Sequence, residues 1–235
     1  MDARVDRKRE LLDRYEATGD EAAYLEALPL YEEAARNGAD PDTLKDYGFL
    51  LECHARNKLR RAVELYELAI RLDPFYDKPR YQLISARAGL QETELPIAEY
   101  EKELEANPDK VRWYRLLASA YLRGHDYKRA RKVIDRGLAL APDDPVLIES
   151  RAEARAGTGD REGALADWRR ALELDPDHIG PLYMTAFLLE RMGRRQEAID
   201  NWQAIIDWSE RRGYQLDAIW PKQELKRLKA GRSAS

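Results

Sequence analysis

Residues 164–176 read ALADWRRALELDP, residues 62–74 read AVELYELAIRLDP and residues 130–142 read ARKVIDRGLALAP. The three stretches align without a gap. The prolines that close them belong to a series, Pro74, Pro108, Pro142 and Pro176, whose members are spaced 34 residues apart. Twelve positions ahead of the prolines stand Ala62, Pro96, Ala130 and Ala164, and Ala198 continues the column. Eight ahead stand Tyr66, Tyr100, Ile134 and Trp168, followed by Trp202; five ahead stand Ala69, Glu103, Gly137 and Ala171. Several independent columns holding one period predict a chain built from repeated units.

Each unit reads as two antiparallel helices. In the second helix a small residue lets two backbones approach, and a large residue one turn later fills the gap to the neighbour. Ala130, Ala164 and Ala198 are therefore expected at close helix–helix contacts. The proline ends that helix, since it has no N–H and turns the residue before it away from helical angles. The first helix shows its own period in Leu116, Leu117, Ala120 and Tyr121, and in Leu182, Tyr183, Ala186 and Leu189. The linking turns read Arg123-Gly124-His125-Asp126, Gly157-Thr158-Gly159-Asp160 and Met192-Gly193-Arg194. Glycine is expected to supply the left-handed residue, and Asp126 and Asp160 to cap the next helix.

These residues carry a family resemblance. Tyr114, Leu117, Ala118, Tyr121, Ala130, Ile134 and Pro142 stand in the pattern of the tetratricopeptide repeat (TPR), and their neighbours in sequence repeat it. The resemblance covers five units, 43–76, 77–110, 111–144, 145–178 and 179–212. It implies an all-α fold, a right-handed superhelix (α-solenoid) of antiparallel helix pairs. Two positions depart from the pattern. Pro96 replaces the small alanine, which a helix accepts only in its first turn, after a cap at Thr93. Glu210 stands where the fifth proline is due, so that helix is free to run on. Residues 1–42 read as a degenerate helical hairpin split near Gly19-Asp20, with Pro29 kinking or restarting its second helix. Residues 213–235 read as a capping helix, with Ile219, Trp220, Leu225 and Leu228 inward, and a disordered tail from Gly231 to Ser235.

The composition fits long amphipathic helices: 36% of the 235 residues are charged and 44% hydrophobic. Basic residues (40) and acidic residues (44) nearly cancel, leaving −4, which gives no electrostatic footprint for nucleic acid. Cys53 is the single cysteine, so no internal disulfide can form, and a cytoplasmic location fits best. The charged N-terminus has no signal-peptide stretch, and no run approaches the roughly 18 apolar residues of a membrane span.

No reaction chemistry is legible. His54, His125 and His178 have no second ligand at metal spacing, and no cysteine cluster or phosphate loop occurs, so no cofactor, no metal and no enzyme is expected. Cys53 falls in the column of Tyr121 and Leu189 and reads as a core thiol. The basic run Lys128 to Lys132 falls on a second helix and reads as a solvated outer face.

In the family the first helices line the concave surface, so the resemblance nominates groove residues by register: Tyr47, Tyr81, Arg115, Glu149 and Tyr183 in one column. Leu44, Lys78, Arg112, Val146 and Gly180 form a second, and Leu51, Ser85, Ser119, Glu153 and Phe187 a third. Arg123, between Gly89 and Gly157 in a fourth column, completes a basic middle with Lys78, Arg112 and Arg115. Tyrosines at either end offer rigid contact area. The expected function is a non-enzymatic adaptor or scaffold that holds a protein or peptide, one with an acidic segment, in this groove. The alternative is a structural subunit that assembles through its outer face or ends. The clamp that related co-chaperones use for heat-shock-protein carboxylates is absent: its slots hold Tyr47, Leu51, Gln82, Arg112 and Leu116, or, one unit later, Tyr81, Ser85, Leu116, Val146 and Ser150.

Overall fold

The alanine and aromatic columns settle into helices in the computed structural model, which describes residues 3–38, 40–213 and 218–230. Every regular element among them is a helix, as an all-α solenoid requires. The expected tail from Gly231 to Ser235 lies outside the described residues. Two compact units are present, Met1–Glu92 and Thr93–Ser235, and the division falls inside the second expected repeat.

The first unit contains α1 (Ala3–Thr18), α2 (Glu21–Arg36), α3 (Pro41–Leu72) and α4 (Lys78–Gly89). Gly19, at φ +65, ends α1, and the Asp20 side chain accepts from the Ala22 N–H to start α2. Pro29 lies within α2, which continues past it without a restart. Leu11, Leu12, Tyr15, Tyr24, Ala27 and Tyr31 close over Leu50 of α3, with Tyr47, Phe49 and Cys53 partly buried against them. Asp40 caps α3 through the N–H groups of Asp42 and Thr43.

A helical hairpin is expected over 43–76, yet α3 is one helix of 32 residues. The reason is local. Between Ala55 and Arg61 the chain reads ARNKLRR, with no glycine to take a left-handed angle and with strong helix formers on both sides. Arg56 pairs with Glu52 and Arg61 with Glu64 along the helix surface. The first half of α3 lies against α1 and α2, and its second half against α4, where Arg87 pairs with Glu67.

The second unit contains α5 (Glu94–Ala106), α6 (Val111–Arg123), α7 (Tyr127–Leu140), α8 (Pro145–Thr158), α9 (Arg161–Leu174), α10 (Gly180–Arg191), α11 (Arg195–Arg211) and α12 (Ile219–Lys229). Here α6–α7, α8–α9 and α10–α11 pack as consecutive antiparallel pairs. Ala130, Ala164 and Ala198 are fully buried at the close contacts, and Ile134, Trp168 and Trp202 fill the space beside them. Pro96 sits in the first turn of α5, although the Thr93 side chain makes no capping bond. With Glu210 in place of proline, α11 extends to 17 residues, against 14 for α7 and for α9.

The caps follow the sequence with one change of residue. Asp126 accepts from the Arg129 N–H at 2.8 Å and Asp160 from the Gly163 N–H at 3.0 Å. Gly159 and Gly193 take positive φ, but in the α6–α7 turn the left-handed residue is His125, at φ +57, not Gly124. At the C-terminal end Leu225 and Leu228 are buried as expected, whereas Ile219 and Trp220 stay exposed.

Candidate functional site

Helices α6, α8 and α10 are the first members of their pairs, and they carry six of the nine nominated residues. On α6, Arg112 lies over the Trp113 ring, its guanidinium carbon 4.8 Å from the centroid. Arg115 donates from Nε to Asp144 at 2.8 Å. Asp144 is buried and also accepts from the Leu147 N–H at 3.0 Å, so one carboxylate caps α8 and ties it to α6. Arg115 is therefore a positioning residue for α8 as well as a charge on the face. Ser119 is half-buried and Arg123 exposed.

The α8 side of this face is acidic. Burial pushes the Glu153 carboxyl up from its ordinary range, and Glu149 pushes it the same way, against the pull of Arg123 and His125. Glu149 binds His178 Nε2 at 3.2 Å, and both side-chain ends lie over Gly180, where a Cβ would make them shift. The hydrogen bond to Glu149 holds the His178 pKa above 6.5, with a further contribution from Asp175.

This sets a pH dependence. A histidine whose folded pKa is raised stabilises the fold fully below its unfolded value and loses that contribution as pH rises through the folded value. Relative to the wild type, His178→Gln should therefore be destabilised at pH 5.5 and indistinguishable well above neutrality, as measured by urea unfolding across the range. A deficit independent of pH would remove His178 from this role.

On α10 the chemistry changes to aromatic. Tyr183 stacks on Trp220 of α12 at 5.8 Å and 9°, and Phe187 meets Trp220 at 5.6 Å. Trp202 of α11 stands edge-on beneath all three and is fully buried. Phe187 and Trp220 stay 41% and 43% exposed, a platform open to solvent beside a polar strip. Register in the sequence assigns Tyr183 and Phe187 to this face but makes Trp220 an inward cap residue, whereas it is 43% exposed beside them. Asp144 has a sequence signal of its own, since an aspartate directly before Pro145 marks a helix start.

The other three nominated residues lie in the first unit. Tyr47 stacks on Tyr31 at 5.9 Å and 6°, Tyr81 is half-buried, and Lys78 is exposed at the start of α4. The histidines have ordinary partners: His54 stacks on Tyr24 and binds Tyr15 Oη at 3.0 Å, and His125 binds Tyr127 Oη at 3.1 Å. Burial raises the Cys53 thiol pKa. Among the described residues no group of three or more potential ligands could hold a metal ion, and no helix is long and apolar enough to cross a membrane.

Comparison with known proteins agrees with this architecture. Residues 116–179 match the family model described as Tetratricopeptide repeat. Over 95 residues, 40% of its length, the chain is 27% identical to the protein STIP1 homolog of Dictyostelium discoideum, and it covers 17% of that protein. The chain spans less than a fifth of the length of the curated relatives it matches. Its fold is similar to that of TTC0263, a thermophilic TPR protein of Thermus thermophilus. The TM-score is 0.55 at 20% identity, over 72% of this chain and 95% of that one. It is also similar to a chain in the APC/C hetero-tetramer Cut9–Hcn1, with a TM-score of 0.54 at 12% identity over 88% and 42% of the two chains. At these identities the likeness is one of fold.

Proposed function

We propose, from the premise that this chain is a tetratricopeptide-repeat protein, that the face formed by α6, α8 and α10 seats a segment of another protein, as a cytoplasmic adaptor without a reaction of its own. The fold is that of a protein-interaction scaffold. The observation that carries the finer reading is an aromatic platform, half-buried Tyr183 with exposed Phe187 and Trp220, on the same unit as a strip of arginines. Buried aromatics stabilise a fold; exposed ones with a rigid floor such as Trp202 anchor ligands.

The occupant follows from the charges. An apolar side chain of the partner covers the platform, and an acidic residue faces Arg112 and Arg123. The segment's acidic part keeps clear of Glu149 and Glu153, whose like charge opposes it. Arg115, already engaged with Asp144, contributes less than the exposed Arg123.

A fluorescent peptide selected by display against the whole chain tests this by anisotropy. Arg112→Glu with Arg123→Glu should weaken binding about tenfold or more at low salt, and less at high salt, because salt screens charges near the surface. Phe187→Ala should weaken it at both salt levels. Lys128→Glu with Arg131→Glu, on α7, should change little. Binding that survives the first two variants and fails with the third would overturn the groove reading.

A further inference from the structure

The fused helix α3 leaves half-made contacts that its counterparts complete. In the closed pairs of the second unit, Ala130, Ala164 and Ala198 are fully buried, and Ile134, Trp168 and Trp202 behind them nearly so. The corresponding residues of α3, Ala62 and Tyr66, are only half-buried. Leu65 is 48% exposed, while Val133 and Asp167 at the same register are 8% and 5% exposed; Leu68, whose counterpart Arg136 lies over the Tyr114 ring of the facing helix, is 45% exposed. The first half of α3 is open in the matching way. Phe49 and Cys53 are only partly covered, whereas their counterparts Leu117 and Tyr121 are buried. Each half thus shows the face that its partner half covers in the other pairs.

We propose that a second copy of this chain completes α3: two α3 helices lie antiparallel, the first half of each against the second half of the other. The register is read from a closed pair. A Cβ on Gly137 would come 2.9 Å from Tyr114 Cβ, and the equivalents of these residues are Ala69 and Asp46. Continuing along the helices, Phe49 faces Tyr66 of the second copy and Cys53 faces Ala62 of the second copy. Both pairings recur in mirrored order, so a two-fold axis passes beside Asn57 and Lys58. The interface is isologous and closes on itself, as an exchanged element does in a symmetric dimer.

Folding back within one chain is the competing solution, and the hinge opposes it. The closed pairs turn at His125, Gly159 and Gly193, each with positive φ. Residues 55–61 contain no glycine and are helical throughout. A fold-back must break that helix and turn Asn57, which stands at the register of His125, Gly159 and Gly193, into the left-handed region, at the expense of the helical hydrogen bonds around it. The dimer keeps the helix intact. Its adverse element is the basic residues around the axis. In each copy Arg56, Lys58 and Arg61 are paired with Glu52, Glu21 and Glu64. Added salt should therefore tighten the dimer.

The test uses the full chain and its single cysteine. Sedimentation equilibrium of the wild type should show reversible dimers that strengthen with salt, and Leu65→Glu with Leu68→Glu should shift the equilibrium to monomer with helicity retained. In Ala62→Cys, mild oxidation should link Cys53 to the introduced thiol of the second copy, giving a band of twice the chain mass on a non-reducing gel. A link formed within one chain means fold-back and overturns the proposal. So does a wild type that stays monomeric at every concentration, or a dimer that the Leu65 and Leu68 changes leave intact. The groove reading stands on α6, α8 and α10, so neither result bears on it.

Discussion

Trp202→Ala is expected to destabilise the last helix pair by about 3–5 kcal/mol, the usual range for deleting a fully buried large aromatic. Trp202 has no exposed surface and donates from Nε1 to Glu190 Oε1 at 2.7 Å. Glu190 also accepts from Arg227 of α12, so one polar link and one ring connect α10, α11 and α12. The rings of Tyr183, Phe187 and Trp220 rest edge-on against it at 5.9, 5.5 and 5.3 Å. Stacked pairs contact only their neighbours, so the loss should be local. Hydrogen exchange should accelerate over α10, α11 and α12 and stay near wild type over α6 and α7. Trp202→Phe keeps most of the volume and gives up one hydrogen bond, so its cost should be nearer 1–2 kcal/mol. Uniform acceleration along the chain would contradict this localisation.

Asp167→Ala should rank next, at about 2–3 kcal/mol. The carboxylate is buried on α9 and accepts from Arg151 Nε and Nη2, both at 2.8 Å, and from Arg155 Nη1 at 2.7 Å. Removing one side of a buried ion pair costs roughly 3–5 kcal/mol when the remaining charge is sealed in. Here the Arg151 and Arg155 side chains are 32% and 37% exposed and can turn to water, which lowers the cost. Asp167→Leu combined with Arg151→Met should recover much of the loss, because apolar packing replaces a pair that has been desolvated. Urea unfolding of the single and double variants measures this directly. A single variant within about 0.5 kcal/mol of wild type, the range of an ordinary surface change, would show that the triad contributes little.

The second unit was legible because its signals are local and repeated. Ala130, Ala164 and Ala198 each announce a close contact, and the aspartate caps and glycine turns recur at the same offsets. The first repeat misled for a definite reason. Its core columns, Ala62, Tyr66, Ala69 and Pro74, are intact, and they signal a hairpin whatever the turn between its helices allows. Whether two helices fold back or run through is decided by four or five residues, and Asn57-Lys58-Leu59-Arg60 has no glycine at the register where Gly159 and Gly193 turn, so Asn57 stays helical. The ion pairing of the proposed face is not legible in the sequence. Arg115 and Asp144 stand 29 positions apart, and only the packing of α6 on α8 brings them together. Trp220 reads as inward because helical periodicity alone cannot tell a covered face from one that covers its neighbours.

The continuity of α3 also has a mechanical meaning. Its 32 residues, at about 1.5 Å rise each, make a bar about 48 Å long. Doubled back, the same residues would bring their ends close together. A pull between the α1–α2 hairpin and α4 therefore does no work in straightening this segment; it is already taut. Tension holds it open, and compression works against a rod rather than a hinge. Within its own unit, α3 carries load from one end to the other without slack.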